Sequence, residues 1–351
     1  DGGAIPVAWT PDFRAMRRLT EDEMRRVRER RTRSGRPAPP EDGDVLVPWG
    51  CTFLEPEVLA ELARSASVRS LAQYARCRTG AISHDCIPIT FSETLIEWFG
   101  DTFAHHLSAM REFDRLAPVS EASATEHRGW RRALSATGRT GPEIDAVPLP
   151  SEVRSSSEGE LAAARERFVV EGLPTVLVVG SSEPRKNHLA VLYAAEVLWR
   201  RRHRFCLTFI GGRAWGSDLF ARKAEALADA GRPLDIATGV GDAELWAAYR
   251  VSRFTVFPSL SEGFGLPAAE SLACGTPTIT SDFGSMKEIA AAGGALLVDP
   301  RDDAQIVDAM ERLLVDDALL GRLRCEARAR PARTWDTYAS ETWDLLVTSG
   351  R

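Results

Sequence analysis

Short apolar runs alternate with longer amphipathic stretches through the second half of the 351-residue chain. This alternation is typical of a parallel sheet in which a helix follows each strand and covers one face. We predict strands at 175–179, 205–210, 234–237, 254–257, 278–280 and 295–298. We predict helices at 188–200, 217–230, 242–250, 267–274, 286–291, 303–315, 318–329 and 334–346. The pattern therefore restricts this half to the α/β class.

The first half alternates in the same way but less regularly. We predict strands at 44–48, 80–84 and 115–119, and helices at 56–65 and 92–113. Residues 147–159 are rich in Pro, Ser and Glu, which indicates a connection between two units. We expect an N-terminal unit over 1–150, a linker over 151–166, a C-terminal unit over 167–333 and a final helix over 334–351.

Composition excludes several classes of protein. A net charge of −6 argues against nucleic acid as the main partner, and 44% apolar residues are typical of a soluble globular chain. The six cysteines form no CxxC pair, so we expect reduced, buried thiols rather than disulfides or a metal site. No apolar stretch approaches a membrane span and no signal peptide is visible, so we expect a cytoplasmic location. The chain does not begin with Met, which suggests a piece of something longer.

One segment departs from this composition. Residues 14–36 carry ten arginines against four acidic residues and show no clear apolar face. Such a segment is commonly a solvated insertion. It could instead bind peripherally to an anionic membrane surface, where each basic residue gains about 1 kcal/mol.

The segment from Glu262 to Glu270 is the most informative motif. It follows an apolar strand and leads into a helix opened by Pro267 and ended by Gly275 and Pro277. Glycines let the backbone approach a ligand closely, and free N–H groups at a helix start attract phosphate. We place one carboxylate in the loop and Glu270 in the first helical turn, both facing the crevice at the carboxyl end of the sheet. Phosphate-binding amides beside two hydroxyl-accepting carboxylates predict a nucleotide-sugar ligand.

A second motif follows the first strand of the C-terminal unit. Gly180 ends the strand, and Arg185 and Lys186 stand at the mouth of the next helix. A planar guanidinium beside an ammonium group can neutralise two phosphates. The alternative is that both are ordinary solvated charges and that Asn187 is a helix cap.

Together these motifs resemble a known family. The runs GSSEPRKN and FPSLSEGFGLPAAESLACGTPTITSD, with their Glu-x7-Glu spacing, resemble the family 4 glycosyltransferases of the GT-B fold. SHDCIPITF and PVSEAS in the first half resemble the same family's acceptor domain more weakly. The resemblance implies two Rossmann-like domains with parallel sheets facing a central cleft, and a final helix that packs back on the first domain.

The resemblance also implies an activity. It is retaining, metal-independent transfer of a hexose, without a cofactor, from a nucleotide sugar to a saccharide, lipid-linked or small-molecule acceptor. GDP-mannose is the favoured donor and a UDP-hexose stays open. The donor would bind to the C-terminal domain and the acceptor to the N-terminal one. The leaving phosphate itself would accept the acceptor's proton, so no nucleophilic carboxylate is required.

The resemblance implies a role for each matching residue. Arg185 and Lys186 would bind the diphosphate and stabilise it as it leaves, as preorganised cations do, and Glu262 would contact the hydroxyls of the transferred sugar. The donor-binding residues implied by the resemblance are Gly180, Thr238, Gly263, Phe264, Gly265, Leu266 and Glu270. No Asp-x-Asp motif stands in a suitable loop, which fits metal independence.

In the first half, the resemblance places His84 close to the donor sugar. The alternatives are a strand-end histidine bonded to a backbone carbonyl, or a helix cap formed by Asp85. Ser120 and Glu121 could border the acceptor or form a plain helix N-cap.

One feature of the family is missing from the sequence. The usual first strand and glycine-rich turn of the acceptor domain are not visible, so that segment lies upstream or the domain is reduced. Three other interpretations stay open: a sugar-nucleotide epimerase, a phosphorylase, or a non-catalytic nucleotide-sugar-binding module of a larger protein.

Overall fold

The computed structural model describes residues 7–9, 16–18, 48, 51–94 and 97–348. Most of the basic segment 14–36 lies outside the described residues, and so does the strand predicted at 44–48 apart from Pro48. The strands are β1 Val7–Trp9, β2 Met16–Arg18, β3 Thr52–Glu55, β4 Arg78–Ser83, β5 Arg115–Pro118, β6 Glu143–Ile144, β7 Thr175–Val179, β8 Cys206–Ile210, β9 Leu234–Ala237, β10 Phe254–Phe257, β11 Thr278–Ser281 and β12 Ala295–Val298.

Helices separate most of these strands. They are α1 Leu62–Tyr74, α2 Ile87–Thr90, α3 Glu97–Met110, α4 Glu121–Ser135, α5 Glu158–Phe168, α6 His188–Arg200, α7 Asp218–Asp229, α8 Asp242–Val251, α9 Leu266–Ala273, α10 Gly284–Ala290, α11 Asp303–Val315, α12 Asp317–Arg328 and α13 Trp335–Trp343. Short 3₁₀ turns cover Ser92–Thr94 and Pro184–Lys186, and a π-helical turn covers Asp344–Thr348.

The second half forms a six-stranded sheet in the order β12-β11-β10-β7-β8-β9, and every pair in it is parallel. All residues of β7, β8, β10 and β11 are buried, as expected for strands covered by helices on both faces. This is the Rossmann order, in which the chain reverses direction along the sheet between its first and fourth strands, β7 and β10. The six strands predicted here are confirmed to within a residue or so at each end.

The first half forms a four-stranded parallel sheet in the order β3-β4-β5-β6, and β1 pairs with β2 in a separate antiparallel ribbon. The strand predicted at 80–84 runs from residue 78 to 83. The helix predicted at 56–65 is wrong in place, because α1 begins only at Leu62. The helix predicted at 92–113 is too long, since its first turn is 3₁₀ and α3 ends at Met110.

The first unit contains the four-stranded sheet and the second unit contains the six-stranded sheet. The chain passes between these two units at two adjacent places. The stretch expected to be a linker contains the start of α5, which opens with a capping box between Ser157 and Glu160. Near the C-terminus, Arg333 donates to the carbonyl of Pro148 (Nε–O 2.8 Å), and the N–H of Trp335 donates to Glu152 (2.9 Å).

The π-helical turn after α13 lies against the first sheet. Arg115 donates to the carbonyl of Leu345 over 3.2 Å, and Arg78 donates to the carbonyl of Val347. Leu346 packs so closely on β4 that a Cβ atom added to Gly80 would lie 3.1 Å from its Cβ. The last helical residues therefore contact the N-terminal unit, although they follow the C-terminal one in the chain.

Candidate active site

The reversal point between β7 and β10 brings the two principal motifs together. The loop after β7 contains the 3₁₀ turn Pro184–Lys186, and the loop after β10 leads into α9. Because the two strands are parallel neighbours, both loops leave the same edge of the sheet. Open α/β sheets bind ligands in the crevice at this position.

Arg185, Lys186 and Glu262 form a compact ion cluster in that crevice. One carboxylate oxygen, Oε1 of Glu262, lies 2.7 Å from Nζ of Lys186 and 2.9 Å from a terminal nitrogen of Arg185. The hydroxyl of Ser259 donates to the same oxygen over 2.7 Å. Arg185 also pairs with Glu183 at 2.9 Å. The cations expected to bind a diphosphate thus contact the carboxylate expected to bind the sugar.

The cluster is largely removed from solvent. The side chains of Arg185, Lys186 and Glu262 are exposed by only 12%, 11% and 9%. Burial alone would raise the pKa of Glu262, but the charges of Lys186 and Arg185 outweigh it, so the pKa lies below its usual value. Burial likewise acts to lower the pKa of Arg185, but Glu262 and Glu183 raise it overall. Glu262 is therefore ionised at neutral pH.

Glu270 occupies a different environment. We expected Glu270 in the first turn of its helix, and that expectation is wrong. The helix α9 begins at Leu266, so Glu270 is its fifth residue. Gly265 precedes the helix with a φ of 103°, a conformation that suits a glycine. The hydroxyl of Tyr249 donates to the carboxylate of Glu270 over 2.9 Å. Burial raises the pKa of Glu270 to about 7, although the Tyr249 hydrogen bond opposes the shift. Within the described part of the chain, no hydrogen bond or ion pair joins Glu270 to Glu262.

The loop after Glu262 touches the first unit. A Cβ atom added to Gly263 would lie 2.7 Å from a carboxylate oxygen of Asp85 and 3.0 Å from the carbonyl oxygen of His84. The carbonyl of Gly263 accepts hydrogen bonds from the hydroxyls of Ser120 (2.6 Å) and Ser123 (2.9 Å). The crevice is therefore bounded by both units.

A cavity of about 230 Å³ lies between the units, beside the ion cluster. His84, Asp85, Arg185 and Trp215 all line it, and the Nε atom of Arg185 has no hydrogen-bond partner among the described residues. His84 is exposed and follows β4 directly. The structure thus brings His84 to the same cavity as Arg185, while its role stays a prediction.

Of the two capping alternatives, the Ser120 cap is confirmed, whereas the N-cap of α2 is Cys86 and Asp85 lies one residue before it. Asp85 accepts from the N–H of Ile87 over 3.0 Å at the start of α2, and burial raises its pKa. Ser120 is the N-cap of α4 and accepts from the N–H of Ser123 over 3.0 Å.

A second pocket, of about 450 Å³, lies between α7 and the ends of β7, β8 and β9. Gly180 and Thr238, both expected to bind the donor, line it together with His188, which the sequence did not single out. His188 is buried, neither ring nitrogen has a hydrogen-bond partner in the described structure, and burial lowers its pKa to about 3. Its place at the first position of α6, directly after the cationic motif, is the signal that could have identified it.

The remaining predicted residues belong to the loop and the start of α9. Phe264 packs with Phe283 against the core beneath α9, and Leu266 is exposed by 41%.

The expectation that the cysteines are buried is partly wrong. All six are free thiols, but Cys51, just before β3, and Cys325, within α12, are exposed.

Two kinds of feature are absent from the described residues. No three His, Cys, Asp or Glu side chains within these residues are arranged to hold a metal ion. None of the described helices combines the length and the apolar character needed to span a membrane.

Comparison with known proteins agrees with this geometry. Residues 162–330 match the family model "Glycosyl transferases group 1". The chain is 28% identical over 260 residues to a serotype-specific mannosyltransferase WbdA of Escherichia coli, an alignment that covers 70% of the chain and 30% of that protein. It is 34% identical over 241 residues to a D-inositol 3-phosphate glycosyltransferase of Acidothermus cellulolyticus, which covers 62% of the chain and 51% of that protein. The chain therefore spans about a third to a half of the length of the curated relatives it matches.

The fold itself is also found among solved structures. Sucrose-phosphate synthase from Thermosynechococcus elongatus superimposes with a TM-score of 0.62 over 84% of this chain and 72% of that one. The sequence identity is 21%, so this likeness concerns the fold alone. The predicted GT-B architecture of two α/β units is confirmed.

Proposed function

We propose that the protein is a retaining glycosyltransferase that moves a hexose from a nucleotide sugar to an acceptor without a metal ion. The observation that carries the proposal is the cluster of Arg185, Lys186 and Glu262 at the reversal point of the sheet, beside the start of α9. The match of residues 162–330 to the group 1 glycosyltransferase model supports it.

The cluster suits the departure of a nucleoside diphosphate. Breaking the bond between sugar and phosphate builds negative charge on the phosphate, and Arg185 and Lys186 would stabilise that charge. Gly265, the N-cap of α9, provides no side-chain cap; because Pro267 has no N–H and Ala268 donates to the carbonyl of Gly265, the N–H of Leu266 is the amide of the first turn that is left for a phosphate. Two cations and a helix start would together supply the positive charge that a metal ion supplies elsewhere.

The state of Glu262 favours a role in binding over a role as a base. Its lowered pKa makes it a weak proton acceptor, and both nearby cations contact the same oxygen. An arriving diphosphate would compete for these cations and release the carboxylate to accept hydrogen bonds from sugar hydroxyls. The leaving phosphate would then accept the acceptor's proton on the same face of the sugar.

The preferred donor is GDP-mannose, with a UDP-hexose as the alternative. The similarity to WbdA, a mannosyltransferase, supports mannose. The acceptor would bind on the side of the first unit, near His84, and belongs to the saccharide, lipid-linked or small-molecule class.

A nucleotide panel tests the proposal. We expect one of GDP, UDP, dTDP and ADP to raise the melting temperature, because a ligand that binds the folded state stabilises it. The matching sugar nucleotide should be turned over in the presence of EDTA, with the anomeric configuration retained in the NMR spectrum of the product. We expect Lys186→Ala to lower turnover by about a hundredfold or more. Arg200→Ala, at the exposed end of α6, is the control.

The outcomes separate the alternatives. Near-normal turnover by Lys186→Ala would remove that residue from the phosphate role. Release of free nucleotide without an acceptor would indicate an epimerase. Nucleotide binding without turnover on any acceptor would indicate a binding module.

A further inference from the structure

The peptide that carries Glu262 is held by hydrogen bonds from both units. We propose that Ser120 and Ser123, supported by Glu288, are positioning residues that place Glu262 when the two units close on each other. This inference rests on the proposed function, since Glu262 is the residue being placed.

The hydroxyls of Ser120 and Ser123 both bind one carbonyl oxygen of the loop between β10 and α9. They donate to Gly263, the residue after Glu262, over 2.6 and 2.9 Å. Both serines are about 1% exposed, so water does not compete freely for these bonds. They lie at the start of α4 in the first unit, whereas Gly263 lies in the second.

The carbonyl of Glu262 itself is held from the other side. Ser285 of α10 donates to it over 3.0 Å, and Ser285 belongs to the same unit as Glu262. Two successive carbonyls are thus fixed, one by each unit. Separation of the units breaks the bonds to Gly263 and leaves the bond from Ser285 intact. The backbone around Glu262 is therefore held from both sides only in the closed arrangement, while the contacts of its side chain with Lys186, Arg185 and Ser259 lie within the second unit.

Gly263 is small enough for this contact. A Cβ atom there would lie 2.7 Å from a carboxylate oxygen of Asp85 and 3.0 Å from the carbonyl of His84. An alanine there would displace the Asp85 carboxylate and press on the His84 backbone, so glycine is the residue that fits this close approach.

Glu288 joins the same two units beside the serines. Its two carboxylate oxygens accept from the N–H groups of Glu121 (3.0 Å) and Ala122 (2.6 Å), the first residues of α4. A carboxylate at a helix N-terminus is favoured by the helix dipole. Glu288 and Ser285 both belong to α10, so one short helix contacts the Glu262 peptide and the start of α4.

The test compares Ser123→Ala and Ser120→Ala with Ser135→Ala. Ser135 is on the same helix, but its hydroxyl bonds within that helix, to the carbonyl of Arg132. Ser123 gives the cleaner result, because Ser120 also caps α4. We expect each of the first two variants to lower kcat about fivefold, the usual effect of losing one neutral hydrogen bond, while the Kd for free nucleoside diphosphate stays unchanged. Ser123→Thr should restore kcat, since it returns the hydroxyl.

Closure is measured separately by small-angle X-ray scattering with and without nucleoside diphosphate. We expect Glu288→Gln and the serine double variant to have a larger radius of gyration than wild type, while Glu166→Gln, at an exposed position of α5, does not. Unchanged kcat and unchanged scattering in the double variant would overturn the inference. Scattering does not need turnover, so a failure here is distinct from a failure of the proposed function.

Discussion

Replacing Lys186 with methionine tests the ion cluster directly. The change removes one positive charge but keeps a side chain of similar length beside Phe257, whose ring centre lies 5.1 Å from Nζ. For unit charges 2.7 Å apart, Coulomb's law with an effective dielectric constant of about 20 gives an attraction of about 6 kcal/mol. That figure is a gross value, because methionine also avoids the cost of burying an ammonium group.

The net loss of stability is smaller. A buried carboxylate that loses its partner entirely costs roughly 3–5 kcal/mol. Glu262 keeps Arg185 at 2.9 Å and the Ser259 hydroxyl at 2.7 Å. We therefore expect the free energy of unfolding to fall by about 2 kcal/mol, and the melting temperature by about 4–8 °C for a domain of this size.

The loss of stability in Lys186→Met should also depend on pH. Because the folded-state pKa of Glu262 is lowered, its ionisation stabilises the fold above the ordinary value of 4.5. That contribution is lost as the pH falls through the folded-state pKa. Without the charge of Lys186, the pKa of Glu262 is lowered less, so ionised Glu262 contributes less to the stability of the variant. The difference between wild type and Lys186→Met is therefore largest at neutral pH and shrinks on acidification.

The assay is urea unfolding at about pH 7 and about pH 4, with Lys223→Met on the exposed face of α7 as the control. A stability difference that is larger at about pH 4 than at about pH 7 would refute the electrostatic reasoning. So would a Lys186→Met variant as stable as wild type at neutral pH.

Two further predictions concern the second unit. Gly211→Ala should lower the free energy of unfolding by about 3 kcal/mol or more in thermal denaturation, because its Cβ would lie 1.9 Å from the carbonyl oxygen of Gly180. Gly212→Ala, whose Cβ would meet no atom within 4 Å, should change little; equal effects would contradict this. The pKa of Glu270 is raised to about 7, so the stability of wild type relative to Glu270→Gln should fall as the pH rises from about 4.5 to 7. Urea unfolding of both proteins across this range measures the difference, and parallel profiles would disprove it.

The sequence was sufficient for the architecture of the second unit. Its inner strands are buried on both faces and appear as short continuous apolar runs, which a single sequence displays clearly. The proximity of Lys186 and Glu262 was also predictable, since each follows a strand that ends at the reversal point of the sheet. In the first unit β3 was missed, because its residues are mostly part-exposed and form no apolar run.

The pairing of polar groups could not be predicted in this way. Lys186 and Glu262 are 76 residues apart, and either could have faced a ligand instead of the other. The hydroxyl of Ser120 reaches a carbonyl 143 residues away, and a backbone acceptor carries no signal in the sequence. The motif showed that Ser120 could cap a helix, but only the packing of the two units shows what else it binds.

The paired connections between the two halves limit how they can move. Arg333 holds the returning chain against Pro148, and the N–H of Trp335 holds it against Glu152, so the two crossings run side by side. Two adjacent crossings resist twisting of one half against the other more than a single crossing would, so we expect the halves to open mainly by bending about the line of the two crossings. A pair of spectroscopic labels, one on each half, would follow that motion.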